Sequence, residues 1–182
     1  MKPQQYTNWV VTMWYRAPEL LLGTDIYNQQ IDMWSVACIF AELVLREPLF
    51  AGKSEMDQIE KIFAVIGNPT DKTWPGFEKL KLAGKLQLNK KHSANRLRDK
   101  FPMRPCGPAD SMYLTDCGID LLSQLFSLNP ETRPSAKDAL THPWFQEDPA
   151  MATEMPIFPE MNKVSRQELK KNRRKSLDER QL

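Results

Sequence analysis

A chain of 182 residues with 41% apolar and 26% charged residues has the length and composition of one soluble domain carrying a terminal extension. No apolar run approaches the roughly 18–20 residues that a membrane span needs, and the opening MKPQQYTN is too polar for a secretory signal. Cys38, Cys106 and Cys117 are an odd set without C-x-x-C spacing, which argues against a disulfide framework and a zinc site and suits a reducing compartment. The formal charge of +2 is unevenly placed. Residues 163–182 hold eight Lys/Arg against three Asp/Glu, a local +5, so residues 1–162 carry −3.

Residues 1–16 show no amphipathic period and are expected to be an extended loop. Pro18 then suits a first helical turn and Glu19 favours a helix N-terminus, which predicts a short helix over 18–22 ending at Gly23. From Met33 to Leu45, eleven of thirteen residues are apolar, with only Ser35 and Glu42 polar. Such a run reads as a helix buried on all sides, capped by Asp32, around which the rest of the chain packs. Ser54 followed by Asp57 has capping-box form. Met56, Ile59, Ile62, Phe63 and Ile66 then mark one face of a helix closed by Gly67 and Pro69.

Residues 68–114 contain five prolines and scattered charges, so they read as mostly irregular, with a short helix at 93–100. Periodicity returns after Thr115, where Ile119, Leu121, Leu122, Leu125, Phe126 and Leu128 predict a helix stopped by Asn129-Pro130. A second S-x-x-D start at Ser135 predicts a short helix ended by His142-Pro143, and Trp144 and Phe145 close the core. The expected domain spans 1–146, with 68–114 as an irregular insert and 147–182 as a basic, disordered extension. The run KKNRRKS, 170–176, is either a plain solvated face or a nuclear-import signal, and Ser176 within it stands in a basophilic phosphosite pattern. No aromatics interleave with these charges to support a nucleic-acid surface.

The segments YTNWVVTMWYRAPELLLG, DMWSVACIFAELVLREPLFAGKSEMDQIEKIF, WPGF and NPETRPSAKDALTHPWF, in this order, closely resemble the C-terminal lobe of a eukaryotic serine/threonine protein kinase. WYRAPE, GKSEMDQI and WPGF resemble the cyclin-dependent kinases, and NRLRDKFP with MPIFPEM resembles their PITSLRE-type branch. The resemblance covers residues 2–161. It implies a mainly α fold, a partial kinase-like helical bundle. Thr7 would be the activation phosphosite, and Val10, Val11 and Arg16 would line the loop that receives the residue after the target Ser/Thr, proline by preference. Thr12 and Asp32 would support the catalytic loop, and Glu19 and Arg133 would form a buried structural ion pair. The complete enzyme would use Mg-ATP, a cyclin and protein substrates with Ser/Thr-Pro sites, in nucleus or cytoplasm and away from membranes.

The catalytic groups themselves are missing from this sequence. It has seven glycines but no G-x-G-x-x-G, no V-A-I-K, no H-R-D and no D-F-G. Asp116-Cys117-Gly118 stands far after A-P-E and reads as a helix start. Met1 therefore looks like an internal methionine, and no catalytic, cofactor-binding or metal-ligating residue is assigned in this chain. Two functions follow: a fragment of a proline-directed kinase, inactive by itself, or a non-catalytic interaction module derived from a kinase lobe. Trp9, Ala37 and the long loop 102–113 depart from the family pattern. Without upstream elements, several of Trp34, Ile39, Phe40 and Leu43 should face water.

Overall fold

The computed structural model describes residues 13–25, 27–86, 88, 92–101 and 113–147, all within the first, Met1–Glu147, of the two units into which the chain divides. Regular structure among these residues is entirely helical: α1 (Pro18–Leu21), α2 (Gln30–Leu45), α3 (Glu55–Ile66), α4 (Asp116–Leu125) and α5 (Ala136–Leu140), joined by short 3-10 turns. The fold is mainly α, as the sequence implies.

The long helix α2 starts three residues earlier than expected. Asp32 is not its cap but lies in its first turn; the flanking Gln29 makes no side-chain cap, and Asn28 Oδ1 instead accepts the Gln30 N–H at 3.0 Å. Gln29-Gln30-Ile31 contains no breaker, so the helix extends back until Asn28 satisfies one of its free donors. Nor is α2 buried all round. Met33, Trp34, Ala37, Cys38 and Ala41 are sealed, whereas Val36, Ile39 and Leu43 are 48%, 52% and 63% exposed. Phe40 is only half-buried, its ring 4.8 Å from that of Trp144. Trp34, expected near water, is fully buried because its ring faces the core side of the helix. It stacks on Phe50 at 6.1 Å and meets Phe126 edge-on at 5.0 Å.

Helix α3 opens as its sequence dictates, with Ser54 Oγ accepting the Asp57 N–H and Gly67, at φ 96°, closing it. Its buried face is rotated from the expected one: Gln58, Ile59, Ile62, Phe63 and Val65 are inside, while Met56 is 47% exposed. Helix α4 is capped by Thr115, whose Oγ1 accepts the Gly118 N–H at 3.0 Å, but it stops at Leu125 rather than Leu128. Phe126 leaves helical geometry so that Phe126 and Leu128 can both point inward. Asp116 opens α4 and pairs with Arg98 at 3.0 Å. Helix α5 carries a reciprocal capping box between Ser135 and Asp138.

The segment between α3 and α4 is irregular in its described part, with 3-10 turns at Phe77–Lys79, Ala83–Lys85 and Arg98–Lys100. The helix expected over 93–100 shrinks to the last of these. Irregular does not mean loose here. Trp74, Phe77, Leu97 and Phe101 are buried, and the Arg96 N–H closes the end of α3 by donating to the Val65 carbonyl at 2.7 Å.

Candidate functional site

The segment WYRAPE, 14–19, lies against three different parts of the fold, each with its own polar fastening. Glu19 sits in the first turn of α1, a helix too short to persist alone, behind Pro18 with its pre-set φ. Arg133 follows the 3-10 turn Pro130–Thr132, which Asn129 caps through its side chain. The two charges meet as a bidentate pair, with NH1 on Glu19 Oε1 at 2.9 Å and NH2 on Oε2 at 3.1 Å. Both residues are buried, at 2% and 3% exposure.

Every N–H of this guanidinium is used. Nε and NH2 also donate to the Ser127 carbonyl at 3.2 and 3.1 Å, and NH1 donates to the Gln30 carbonyl at the start of α2. Five donors in a rigid fork are therefore satisfied together, which is what permits a full charge in the core. The same group lies 5.2 Å over the Trp34 ring, adding a cation–π contact.

A second fastening escapes a motif-based reading. Gln58 is completely buried; its Oε1 accepts the Gly52 N–H at 2.8 Å and its Nε2 donates to the Trp14 carbonyl at 3.1 Å. Trp14 Nε1 returns to the Gly52 carbonyl at 2.9 Å, closing a ring of three hydrogen bonds. Only glycine fits at 52, since a Cβ there would lie 2.6 Å from the Gln58 Cα. The available signal was a glutamine four residues before Ile62, on the buried side of α3.

The third fastening runs to α2. Ser35 Oγ donates to the Tyr15 carbonyl at 2.9 Å, and the Tyr15 hydroxyl donates to Glu42 Oε2 at 2.8 Å. That hydrogen bond, then desolvation, raises the Tyr15 pKa above its ordinary value.

Of the other site residues named from sequence, Arg16 and Asp32 are among the described residues. Arg16 pairs with Glu55 at the start of α3, at 3.1 Å on the surface, where such pairs contribute little. Asp32 is exposed on the first turn of α2. Thr7, Val10, Val11 and Thr12 lie outside the described residues. Cys38 is sealed in the core, where burial pushes its thiol far up and leaves it inert. Among the described residues, no group of three or more His, Cys, Asp or Glu could hold a metal ion, and no glycine-rich phosphate cradle is present.

The sequence matches the family model described as Protein kinase domain over residues 1–145. The chain belongs to the protein kinase domain family. Its kinase sequence is 49% identical over 168 residues to Cyclin-dependent kinase G-2 of Oryza sativa subsp. indica, covering 91% of this chain and 23% of that protein. It is 49% identical over 156 residues to Cyclin-dependent kinase 11 of Dictyostelium discoideum, covering 85% and 40%. With Cyclin-dependent kinase 11B of Homo sapiens it shares 43% over 166 residues, covering 88% and 20%. The chain thus spans between a fifth and two-fifths of the length of these relatives. No helix among the described residues is long and apolar enough to cross a membrane.

Proposed function

We propose that this chain is the substrate-side, C-terminal part of a proline-directed serine/threonine kinase of the cyclin-dependent type. Its work is to position, and the nucleotide is held by groups outside it. The observation that carries this reading is the Glu19–Arg133 pair, which moors WYRAPE rigidly to the helical core from 114 residues away. Phosphoryl transfer is chiefly positioning and electrostatics, so a fixed platform beside the acceptor peptide is a distinct and necessary contribution.

In this reading Val10, Val11 and Arg16 receive the residue after the target Ser/Thr, and Thr7 is phosphorylated. Thr12 and Asp32 steady a catalytic loop supplied with the Gly-rich, H-R-D and D-F-G groups. Mg-ATP and a cyclin belong to the complete enzyme, which acts in nucleus or cytoplasm, and the chain by itself does not transfer phosphate. The exposed carboxylate of Asp32, beside the open face of α2, supports such a loop seat. A second reading, a non-catalytic interaction module, draws support from the buried core that 17–139 forms by itself.

The test is complementation. An amino-terminal kinase half carrying those motifs, taken from one of the similar cyclin-dependent kinases, is mixed with this chain, a cyclin and radiolabelled ATP. Transfer to a Ser-Pro peptide but not to its Ser-Ala analogue, lowered by Thr7→Ala, is expected. A stable complex with no transfer under any of these conditions would favour the module.

A further inference from the structure

Helix α3 holds three consecutive residues with three of its own side chains. Asp57 Oδ2 accepts the Lys53 N–H at 2.7 Å, Gln58 Oε1 accepts the Gly52 N–H at 2.8 Å, and Lys61 Nζ donates to the Ala51 carbonyl at 2.6 Å. Residues 51–53 are thereby fixed to the helix. Of these three side chains, Gln58 is the one whose other end reaches the segment 14–19, donating through Nε2 to the Trp14 carbonyl at 3.1 Å. Glu19, Arg133 and Gln58 are the buried polar or charged side chains among the described residues. Glu19 and Arg133 neutralise each other, whereas the burial of Gln58 is offset by its two amide bonds alone. A planar amide presents an acceptor and a donor side by side, which no hydrocarbon of that length can do. The other links from 14–16 are looser. Arg16 meets Glu55 at the surface, and Ser35 Oγ divides its proton between the Tyr15 and Ile31 carbonyls.

We propose that Gln58 is a positioning residue for the acceptor peptide, acting through the Trp14 carbonyl and touching neither peptide nor nucleotide. This rests on the kinase reading above, in which Val10, Val11 and Arg16 receive the residue after the target Ser/Thr. Trp14 stands between Val11 and Arg16 in the chain, so its carbonyl is where that segment is tied to α3. Removing the amide strands the Trp14 carbonyl and the Gly52 N–H together, and each must turn to find another partner. The turn at 51–53 keeps its bonds to Asp57 and Lys61, so the side that moves is 14–16. The consequence falls on peptide binding. In the same reading the nucleotide and the reacting atoms are held by groups outside this chain, and they are left as they were.

Steady-state kinetics on a Ser-Pro peptide test it, with the full chain complemented by the amino-terminal kinase half and a cyclin. Gln58→Met keeps the side chain's length but offers neither donor nor acceptor. It is expected to raise the peptide KM about tenfold and to leave kcat and the ATP KM unchanged. Gln58→Glu retains an acceptor for the Gly52 N–H but, ionised, turns an oxygen on the Trp14 carbonyl; protonated, it donates there again. The ratio of its peptide KM to that of wild type is therefore expected to fall toward one as pH is lowered. Gln58→Met shows no such recovery, and the recovery decides the matter should Gln58→Met lose its helical circular dichroism. In the chain alone, the Arg16 amide, bonded to the Met13 carbonyl at 3.0 Å, should exchange faster in Gln58→Met while the amides of α4 do not. An active complex whose peptide KM is unmoved by either variant, or unchanged exchange at Arg16, would overturn the proposal. A wild-type complex that transfers no phosphate would instead overturn the kinase reading, and this role with it.

Discussion

All five guanidinium N–H groups of Arg133 are engaged, and two of them grip the carboxylate of Glu19 from the far end of the described fold. Arg133→Ala strands that carboxylate in the core, which costs about 3–5 kcal/mol, while Arg133→Lys retains the charge but loses the fork and is also destabilising. Arg98 holds the Leu114 carbonyl and Asp116 near the surface, so Arg98→Ala should cost about 1 kcal/mol. Urea midpoints of the three variants give the order directly. Equal midpoints for Arg133→Ala and Arg98→Ala would contradict the pairing.

Three glycines separate close packing from open space. At Gly52 a Cβ would meet the backbone of Gln58, and at Gly118 it would lie 2.6 Å from Leu114 Cδ1 and 2.8 Å from Trp144 Nε1; nothing lies within 4 Å at Gly84. Side chains can yield where backbone cannot. Gly52→Ala should therefore cost the most, Gly118→Ala about 1–3 kcal/mol, and Gly84→Ala should be near neutral or slightly stabilising. Thermal unfolding of the three proteins checks the ranking.

Much of this architecture is legible in the sequence, because capping and turn chemistry are local. Ser54 and Ser135 each cap where their spacing says, and Gly67 ends α3. What sequence misjudges is set by neighbours distant along the chain. An apolar run such as 33–45 cannot say which of its sides has a partner. Thus Trp34 is sealed between Phe50, Phe126 and Arg133, while Ile39 and Leu43 face water. Gln58 is hidden from periodicity for the same reason. It is polar, yet it sits on the buried side of α3 because Trp14 and Gly52 meet it there.

The α5 capping box fixes a titration. Hydrogen bonds from the Ser135 side chain and backbone hold Asp138 below its ordinary pKa, although the carboxylate is at the surface. A carboxylate with a lowered folded-state pKa supports folding above its unfolded value and loses that support as pH falls through the folded value. Ser135→Ala should raise the Asp138 pKa toward the ordinary carboxylate range and shift the acid loss of α5 to higher pH. Carbon-detected NMR titration of Asp138 measures both; an unchanged pKa in the variant would contradict the box.

Trp34 joins the aromatic cluster to the ion pair, so its removal should reach both. Trp34→Ala is expected to cost about 3–5 kcal/mol and to expose Arg133 to water. Trp34→Phe keeps the apolar body and should retain more than half of that stability. Denaturant titration distinguishes the two, and hydrogen exchange at Ser127–Arg133 should quicken in the alanine variant alone.

The division of labour proposed here, positioning in this chain and nucleotide binding outside it, is tested most directly by calorimetric titration of the purified chain with Mg-ATP. No saturable heat is expected with the chain alone, and saturable binding is expected once an amino-terminal kinase half carrying the Gly-rich loop and D-F-G is present. Saturable micromolar binding by the chain alone, abolished by substitutions within it, would show that the nucleotide site lies in this chain after all.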